Sequence, residues 1–583
     1  MPDAQSSREH PLPPTRVAMC VVAVAVLCYA NALANRFTFD DLWVIINNPM
    51  VREASGLWRG FLHSYWPEAT HAGQYRPLAI AAFTIDWMLA PGQAWWFHLV
   101  NVAWHALACV LVWRYLGTML SPLGAAVGAL LFAVQPVHVE AVSNIVGRSE
   151  IMMTAFVLMG LLAHRRGSPV AILCFALAIL SKESGVVFVG LAAAADLLLS
   201  GDGWDQVIAR RGLYAGYVVV GLLYAGVLAW IFRHGHFVLI APTWKGAPVW
   251  QRWLTVLRLI PEYVRLMVMP MQLDVDYMPN TIVLVSGLTP LVAVGAGLLA
   301  VIIACTVVAW RRAPVVAFGF VFFAVALSPV SNVFFPSGIV IAERTLYLPS
   351  VGAAILAGWL AQWAVARRPA PVYALATAVG LAFAIRAWTR TPIWHDNKTM
   401  TVAVLSEQPE SYRAHATAAA IFNLAGNWPA SKREAERART LFRGDATPYL
   451  AGVEANLALT SPHDTVLALL DSAVAADSSA FAPWMRSAEI RYAWGDYPAS
   501  MRDAWTAYRL SPDSVRAIRY VTLSAQRLQD FAMADTAFRR AIADHPDVQF
   551  LRAGYAAMLL AHGDTTASRR QDSAVTRLAA RRS

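Results

Sequence analysis

Two adjacent carboxylates, Asp40 and Asp41, stand in the run "RFTFDDLWVI" directly after an apolar stretch. Three later segments set charged groups among apolar residues: "QPVHVEAVSNIVGRSE" (135–150) carries His138, Glu140 and Arg148, "SKESG" (181–185) carries Lys182 and Glu183, and "FFPSGIVIAERTLYLPS" (334–350) carries Glu343 and Arg344. Arginine and lysine bind phosphate through charge-assisted hydrogen bonds, so Arg148, Lys182 and Arg344 near carboxylates make a candidate phosphate pocket with acid/base groups beside it. Each group also has a plainer reading. The aspartates can cap a following helix, Glu343 and Arg344 can pair with each other, and Glu140 can pair with Arg148. Glu140, Asn144 and Arg148 recur every four residues and share one face if that stretch is helical. An adjacent carboxylate pair can hold a divalent cation, but no third oxygen ligand stands at a suggestive spacing, so a metal-free site is expected.

The elements that must position these groups are membrane helices. The chain has 583 residues, of which 57% are hydrophobic and 14% charged, with a mean hydropathy of +0.47, far from the soluble globular range. Apolar segments at 17–34, 95–116, 119–137, 150–163, 168–181, 185–199, 213–232, 286–310, 313–330, 346–366 and 371–388 give about eleven expected spans, of which 150–163, 168–181 and 185–199 fall short of ~20 residues. With the 1–16 tail cytoplasmic, Arg114, Arg165-Arg166, Arg210-Arg211, Arg311-Arg312 and Arg367-Arg368 all fall on the cytoplasmic side, as short basic loops do. The stretch 253–270, broken by Pro261, Glu262 and Arg265, is then interfacial or re-entrant.

That orientation gathers the acid, base and cation candidates on the opposite side, where "RHGHF" (233–237) and "QLDVDYMPN" (272–280) also fall, with a first outer loop over 35–94. Ionisable residues at a membrane edge are expensive and mark function by default. Much of the net charge of +10 belongs to the inner basic set, and no nucleic-acid motif accompanies it. "ANALAN" (30–35) has small residues of the kind found at signal cleavage sites, but a chain with many later spans is expected to keep its first one. Cys20, Cys28, Cys109, Cys174 and Cys305 lie in apolar segments, so neither a disulfide framework nor a metal spacing is expected.

Beyond residue 391 the composition changes. "RGD" (443–445), "DSS" (477–479), "SPD" (511–513) and "HPD" (545–547) follow one another at 34-residue intervals, the tetratricopeptide period. About four and a half helix-turn-helix units are expected. The same orientation puts 392–583 outside the cytoplasm, where such an array offers a groove to an extended peptide. His395 and Asp396 in "IWHDNKTM" (393–400) are expected only to cap the first helix of the array.

"FTFDDLWVIINNPMV", "YRPLAIAAF", "FHLVNVAWHAL", "QPVHVEAVSNIVGRSEI", "LSKESGVV", "FFPSGIVIAERTLYLPSVG" and "WHDNKTM", followed by helical repeats, resemble in order and spacing the transmembrane and tetratricopeptide-repeat-containing family of O-mannosyltransferases, in a bacterial version. The resemblance implies an all-α fold of the glycosyltransferase C type, a polytopic bundle over 17–391 and a repeat α-solenoid over 392–583. It implies a polyprenyl-phosphate sugar as donor, no resident cofactor, and transfer at the non-cytoplasmic face of a bacterial inner membrane to an exported protein or peptide. It further implies that Asp40 or Asp41 is the catalytic carboxylate and that His138, Glu140, Arg148, Lys182, Glu343 and Arg344 belong to the pocket; Glu183, next to Lys182, is expected there as well. A single base opposite a good leaving group fits one inverting displacement with mannose as the expected sugar. A lipid or envelope polysaccharide as acceptor, and a non-catalytic scaffold with a protein-binding array, are the competing readings.

Overall fold

The computed structural model describes residues 13–66, 74–232, 241–244, 246–275, 277, 282–511 and 514–580. "RHGHF" (233–237) and part of "QLDVDYMPN" lie outside the described residues. Every regular element among them is helical, and the chain divides into two compact units at residues 409/410. Residues 392–409, expected with the repeats, fall in the first unit.

Counting helices of ten residues or more, the first unit contains α1 (Pro14–Tyr29), α2 (Pro77–Leu89), α3 (Ala94–Leu116), α4 (Pro122–Ala133), α5 (Arg148–Arg165), α6 (Val170–Ser181) and α7 (Phe188–Leu199). It continues with α8 (Arg211–Ile231), α9 (Val249–Val268), α10 (Pro290–Arg312), α11 (Pro314–Leu327), α12 (Ser350–Val365), α13 (Pro369–Arg390) and α14 (Asn397–Glu407). Proline opens α1, α2, α4, α10, α11 and α13, because the first helical position needs no N–H donor and its φ suits the ring. Arginine closes α3, α5 and α10, where the carbonyl end of the helix favours a cation.

Each expected apolar segment is a helix; among the described residues six of these helices are by themselves long and apolar enough to cross a membrane, and the rest of the about eleven expected spans are shorter apolar helices. A seventh span is possible if the 48° bend between Pro122–Ala133 and Pro136–Ser143 interrupts one crossing. α4, α6 and α7 have 12 residues each, short of the ~20 that match the hydrocarbon core. Short helices of this kind need protein or thinned bilayer around their ends. α2 is an apolar helix inside the stretch expected to be an outer loop. α9 is amphipathic, with Trp250 and Trp253 half out of the protein and Arg252, Arg258 and Arg265 along its polar side, as suits an interfacial helix.

Small residues set the closest crossings. A Cβ on Gly124 would meet the Gly358 carbonyl at 2.8 Å, and one on Gly128 would meet the Ala354 carbonyl at 2.6 Å. α4 and α12 therefore touch backbone to backbone along a small-xxx-small seam. α5 lies at the centre, the most deeply buried of the long helices, with α3, α6 and α7 packed on it.

The second unit is a stack of five helix pairs. They are α15 (Tyr412–Leu424) with α16 (Trp428–Leu441), α17 (Thr447–Ala458) with α18 (His463–Ala476), α19 (Phe481–Ala493) with α20 (Tyr497–Leu510), α21 (Val515–Arg527) with α22 (Phe531–Asp544), and α23 (Gln549–Ala561) with α24 (Thr565–Ala580). The expected half unit is a complete pair. Each turn within a pair passes through the left-handed region, at Gly426, Thr460, Gly495, Gln529 and Gly563. Asn427, Asp496 and Asp530 then cap the next helix by accepting an N–H three residues on. This turn recurs once per unit, at intervals of 34 or 35 residues.

Candidate functional site

The chain leaves α1 through a 3-10 turn, Ala30–Ala34, and continues as a strap beside the end of α13 and the segment after it. Asn31 Nδ2 donates to the Trp388 carbonyl at 2.8 Å, Asn35 Nδ2 to that of Thr391 at 3.2 Å, and the Arg36 N–H to that of His395 at 2.8 Å. The strap ends in the paired aspartates, whose surroundings differ. Asp41 is fully buried; its Oδ2 accepts the Thr38 N–H at 3.0 Å and its Oδ1 the Val146 N–H at 2.9 Å. Burial pushes its carboxyl up to about 7, with the Thr38 and Val146 amides pulling it down and Asp40 adding to the rise. Asp40 is half-buried at the same turn.

Arg344 closes over Glu140. Its backbone N–H donates to Glu140 Oε2 at 2.8 Å and its Nη1 to Oε1 at 2.7 Å. Burial works against the Arg344 charge, but Glu140, then Asp40 and Glu150, outweigh it and hold its pKa above the ordinary value. Arg344 is thus a half-buried cation within electrostatic reach of Asp40.

Arg76, in the "YRPL" segment just before α2, supplies a second cation. It forks onto Glu183 through Nε at 2.9 Å and Nη2 at 2.7 Å, and lies 5.1 Å from the Tyr65 ring. Burial opposes the charge on Glu183, yet Arg76 and Lys182 hold its carboxyl down at about 2. Lys182 pairs with Glu150 at the start of α5, and its pKa is lowered by burial and by Arg76 against the pull of that glutamate. Asp40, Glu140, Glu150, Glu183, Arg76, Lys182 and Arg344 form one polar cluster at one end of the bundle.

Other expected site residues stand elsewhere. Arg148, expected as a phosphate ligand, is fully buried: Nη1 pairs with Asp86, Nε donates to Asn101 Oδ1 at 2.7 Å and Nη2 to the Phe97 carbonyl at 2.9 Å, with the Phe83 ring 4.8 Å away. Its fork is filled by protein. Nor do Glu140 and Arg148 share a helix face, because the short helix Val139–Ser143 breaks at Asn144, whose ψ is 119°. His138 sits among aromatic rings, with Tyr347 and Phe132 centroids 4.4 and 4.5 Å away and Ser350 Oγ at 2.8 Å. It is sealed from the cluster's solvent-facing groups. Glu343 does not pair with Arg344; it accepts the Asp274 N–H and the Tyr277 hydroxyl, and burial raises its pKa well above the usual carboxylate range.

Sequence reasoning missed Arg76, Tyr65 and Glu150. Arg76 stood in a quoted segment beside proline and read as loop. Glu150, the last residue of the quoted run 135–150, is the carboxylate with which Lys182 pairs. Among the described residues no group of histidine, cysteine, aspartate or glutamate side chains converges on a metal position. A groove of about 590 Å³, walled almost wholly by apolar side chains, runs between α1, α4 and α13, with Val24, Leu27, Leu131 and Leu381 along it and Trp388 at the end where the strap departs.

Residues 77–230 match the family described as dolichyl-phosphate-mannose-protein mannosyltransferase. Over 386 residues the chain is 28% identical to human protein O-mannosyl-transferase TMTC3, covering 58% of this chain and 42% of that protein. It is 30% identical over 401 residues to human TMTC1, covering 59% and 45%, and 27% identical over 474 residues to mouse TMTC4, covering 69% and 63%. The chain spans about half the length of the curated relatives it matches. The crystal structure of ArnT from Cupriavidus metallidurans bound to undecaprenyl phosphate overlaps 92% of this chain and 80% of its own, at 16% identity and a TM-score of 0.38. Over these stretches the chain is similar to the protein O-mannosyl-transferases TMTC1, TMTC3 and TMTC4.

Proposed function

We propose that the chain is a membrane glycosyltransferase that moves a hexose, mannose first among the candidates, from a polyprenyl-phosphate carrier to a hydroxyl of an exported protein. The observation that carries this reading is a half-buried Asp40 within electrostatic reach of Arg344, the half-buried cation that Glu140 holds, so that a base stands near a cation. Asp40 takes the acceptor hydroxyl proton as the new carbon–oxygen bond forms at the anomeric carbon. The bond from that carbon to the phosphate oxygen breaks, and the lipid phosphate leaves with the electron pair. Arg344, whose Nη1 holds Glu140, stabilises the charge on the departing phosphate, and Arg76 stays committed to Glu183. One displacement inverts the anomeric centre.

Asp41 is assigned a different task. Both of its oxygens are occupied by backbone amides, so it fixes the turn that presents Asp40. The apolar groove between α1, α4 and α13 gives a hydrocarbon chain a place beside the strap. The reading assigns phosphate recognition to arginine and requires no metal. It sets the N-terminal tail in the cytoplasm of a bacterial cell, with the cluster and the repeat array on the periplasmic side. The repeats are the acceptor-presenting part, since stacked helix pairs of this kind offer a groove to extended peptide.

The test is incubation of purified full-length protein with radiolabelled polyprenyl-phosphate-mannose and a periplasmic extract. Label is expected in protease-sensitive product, released with loss of the lipid-linked donor. Label in a chloroform-soluble or protease-resistant product would move the acceptor to lipid or polysaccharide. Absence of donor binding and consumption would leave a scaffold.

A further inference from the structure

Phe39, immediately before the paired aspartates, has φ +53°. Left-handed backbone is costly for a residue with a Cβ, and a bulky aromatic there persists only where its surroundings over-determine it. The surroundings come from far along the chain. The Phe39 N–H donates to Asn397 Oδ1 at 2.7 Å, and the Thr38 hydroxyl donates to the Trp394 carbonyl at 3.0 Å. With the Arg36 N–H on the His395 carbonyl, the short segment 394–397 grips Arg36, Thr38 and Phe39.

Asn397 is itself held. It is the first residue of α14, whose cap is Asp396, accepting the Thr399 N–H at 2.8 Å. The helix start fixes where the Asn397 amide stands, and that amide fixes the Phe39 peptide. Rotating Phe39 to ordinary negative φ would turn the peptide plane that leads into Asp40 and draw Thr38 away from Asp41.

We propose that Asn397 is a positioning residue for sugar transfer: its side-chain oxygen holds Phe39 in the left-handed conformation that aims Asp40. The "WHDN" segment thereby joins the base-bearing strap to the chain leaving the last membrane helix. This rests on the reading of Asp40 as the base, and the experiment separates the two.

The experiment measures kcat and donor KM for full-length Asp40→Asn, Asn397→Ala, Asn397→Asp and the double variant Phe39→Gly with Asn397→Ala. Asn397→Ala is expected to lower kcat roughly 10- to 100-fold, the scale of a small misplacement of a reacting group, with donor KM little changed. Asn397→Asp keeps an acceptor oxygen at the same reach and is expected to retain most of the activity. Adding Phe39→Gly is expected to recover much of the loss, because glycine takes positive φ without the Cβ penalty. A structural role alone would not be rescued by removing a second side chain.

Unchanged kcat in Asn397→Ala, or no recovery in the double variant, overturns the proposal. Should Asn397→Ala not fold, Asn397→Gln decides in its place, since it keeps polarity and moves the oxygen by one methylene; full activity there overturns the proposal, and reduced kcat with unchanged donor KM supports it. If Asp40→Asn keeps full activity, the base assignment falls and the positioning proposal falls with it. If Asp40→Asn is inactive while Asn397→Ala is not impaired, the positioning proposal falls alone.

Discussion

The central helix α5 carries a polar cluster at each end, and the two are built differently. Its 18 residues separate them by about 27 Å at 1.5 Å per residue. At the far end His164 shares a hydrogen bond with Asp196 Oδ2 at 3.0 Å and with the Tyr217 hydroxyl at 2.8 Å. Tyr214 donates to the same Asp196 oxygen at 2.8 Å, and Arg210 pairs with the other. None of these groups leaves a buried polar atom without a partner among the described residues, and the orphan near them is the Tyr115 hydroxyl. At the near end the Tyr65 hydroxyl and both amide atoms of Asn144 are buried without one, and Phe39 is strained. A satisfied buried network stiffens a fold, whereas orphaned polar atoms and strained backbone are tolerated where binding or chemistry repays them. The comparison assigns structure to the far end and reaction to the near end.

The largest effect is expected at Asp40. Asp40→Asn removes a proton acceptor and keeps the shape of the half-buried side chain, so kcat for sugar transfer is expected to fall by roughly 10²- to 10⁴-fold, the usual contribution of a general base. Thermal unfolding in detergent is expected to stay close to that of the parent. A variant that transfers sugar at the parent rate would return the near end to the same structural class as the far end.

The far end breaks in the opposite sense. Asp196→Ala leaves Arg210 and His164 without their buried partner, and losing one side of a buried ion pair costs about 3–5 kcal/mol of stability. Unfolding midpoints should drop clearly, while kcat per folded molecule, measured on monodisperse protein, should remain near the parent value. A stable Asp196→Ala that has lost transfer activity would put chemistry at both ends of α5.

Much of the near end could be read from the chain alone, because charges inside apolar runs are costly and stand out. Asp40, Asp41, Glu140, Lys182, Glu183 and Arg344 were legible in this way, as was the helical character of every apolar segment. Their partners were not. Arg344 chose Glu140, 204 residues away, over its neighbour Glu343, because the 3-10 turn Glu343–Leu346 sends adjacent side chains apart. Arg148 misled because a four-residue spacing implies one face only if the helix is continuous, and the extended backbone at Asn144 interrupts it. Which apolar segments cross was less legible for a related reason: hydropathy marks a segment as buried but does not distinguish lipid from protein as the burying phase, and α6 and α12 are apolar helices shorter than the hydrocarbon core. The repeat period was legible because the short polar motifs "RGD", "DSS", "SPD" and "HPD" recur every 34 residues.

The smallest expected effect is that of pH, acting through Asp41. Its carboxyl stands at about 7 against an ordinary 3.8, with burial as the largest cause. The folded state therefore binds more protons than the unfolded chain between these values, and stability falls as pH rises from about 4 to about 7. Activity runs the other way. The ionised group accepts both the Thr38 and Val146 amides, while the protonated one offers a hydroxyl that cannot accept in the same manner, so the turn presenting Asp40 loosens below about pH 7. Between about pH 6 and about pH 8 kcat is expected to rise severalfold while the unfolding midpoint declines below pH 7. Asp41→Asn carries no titrating group, so its midpoint should lose this slope, and its lower kcat should lose the same limb. Asp196→Ala should keep both, since the far end takes no part in the titration. An activity limb that survives unchanged in Asp41→Asn would assign the titration to another group of the near cluster and leave Asp41 with a purely steric hold on the turn.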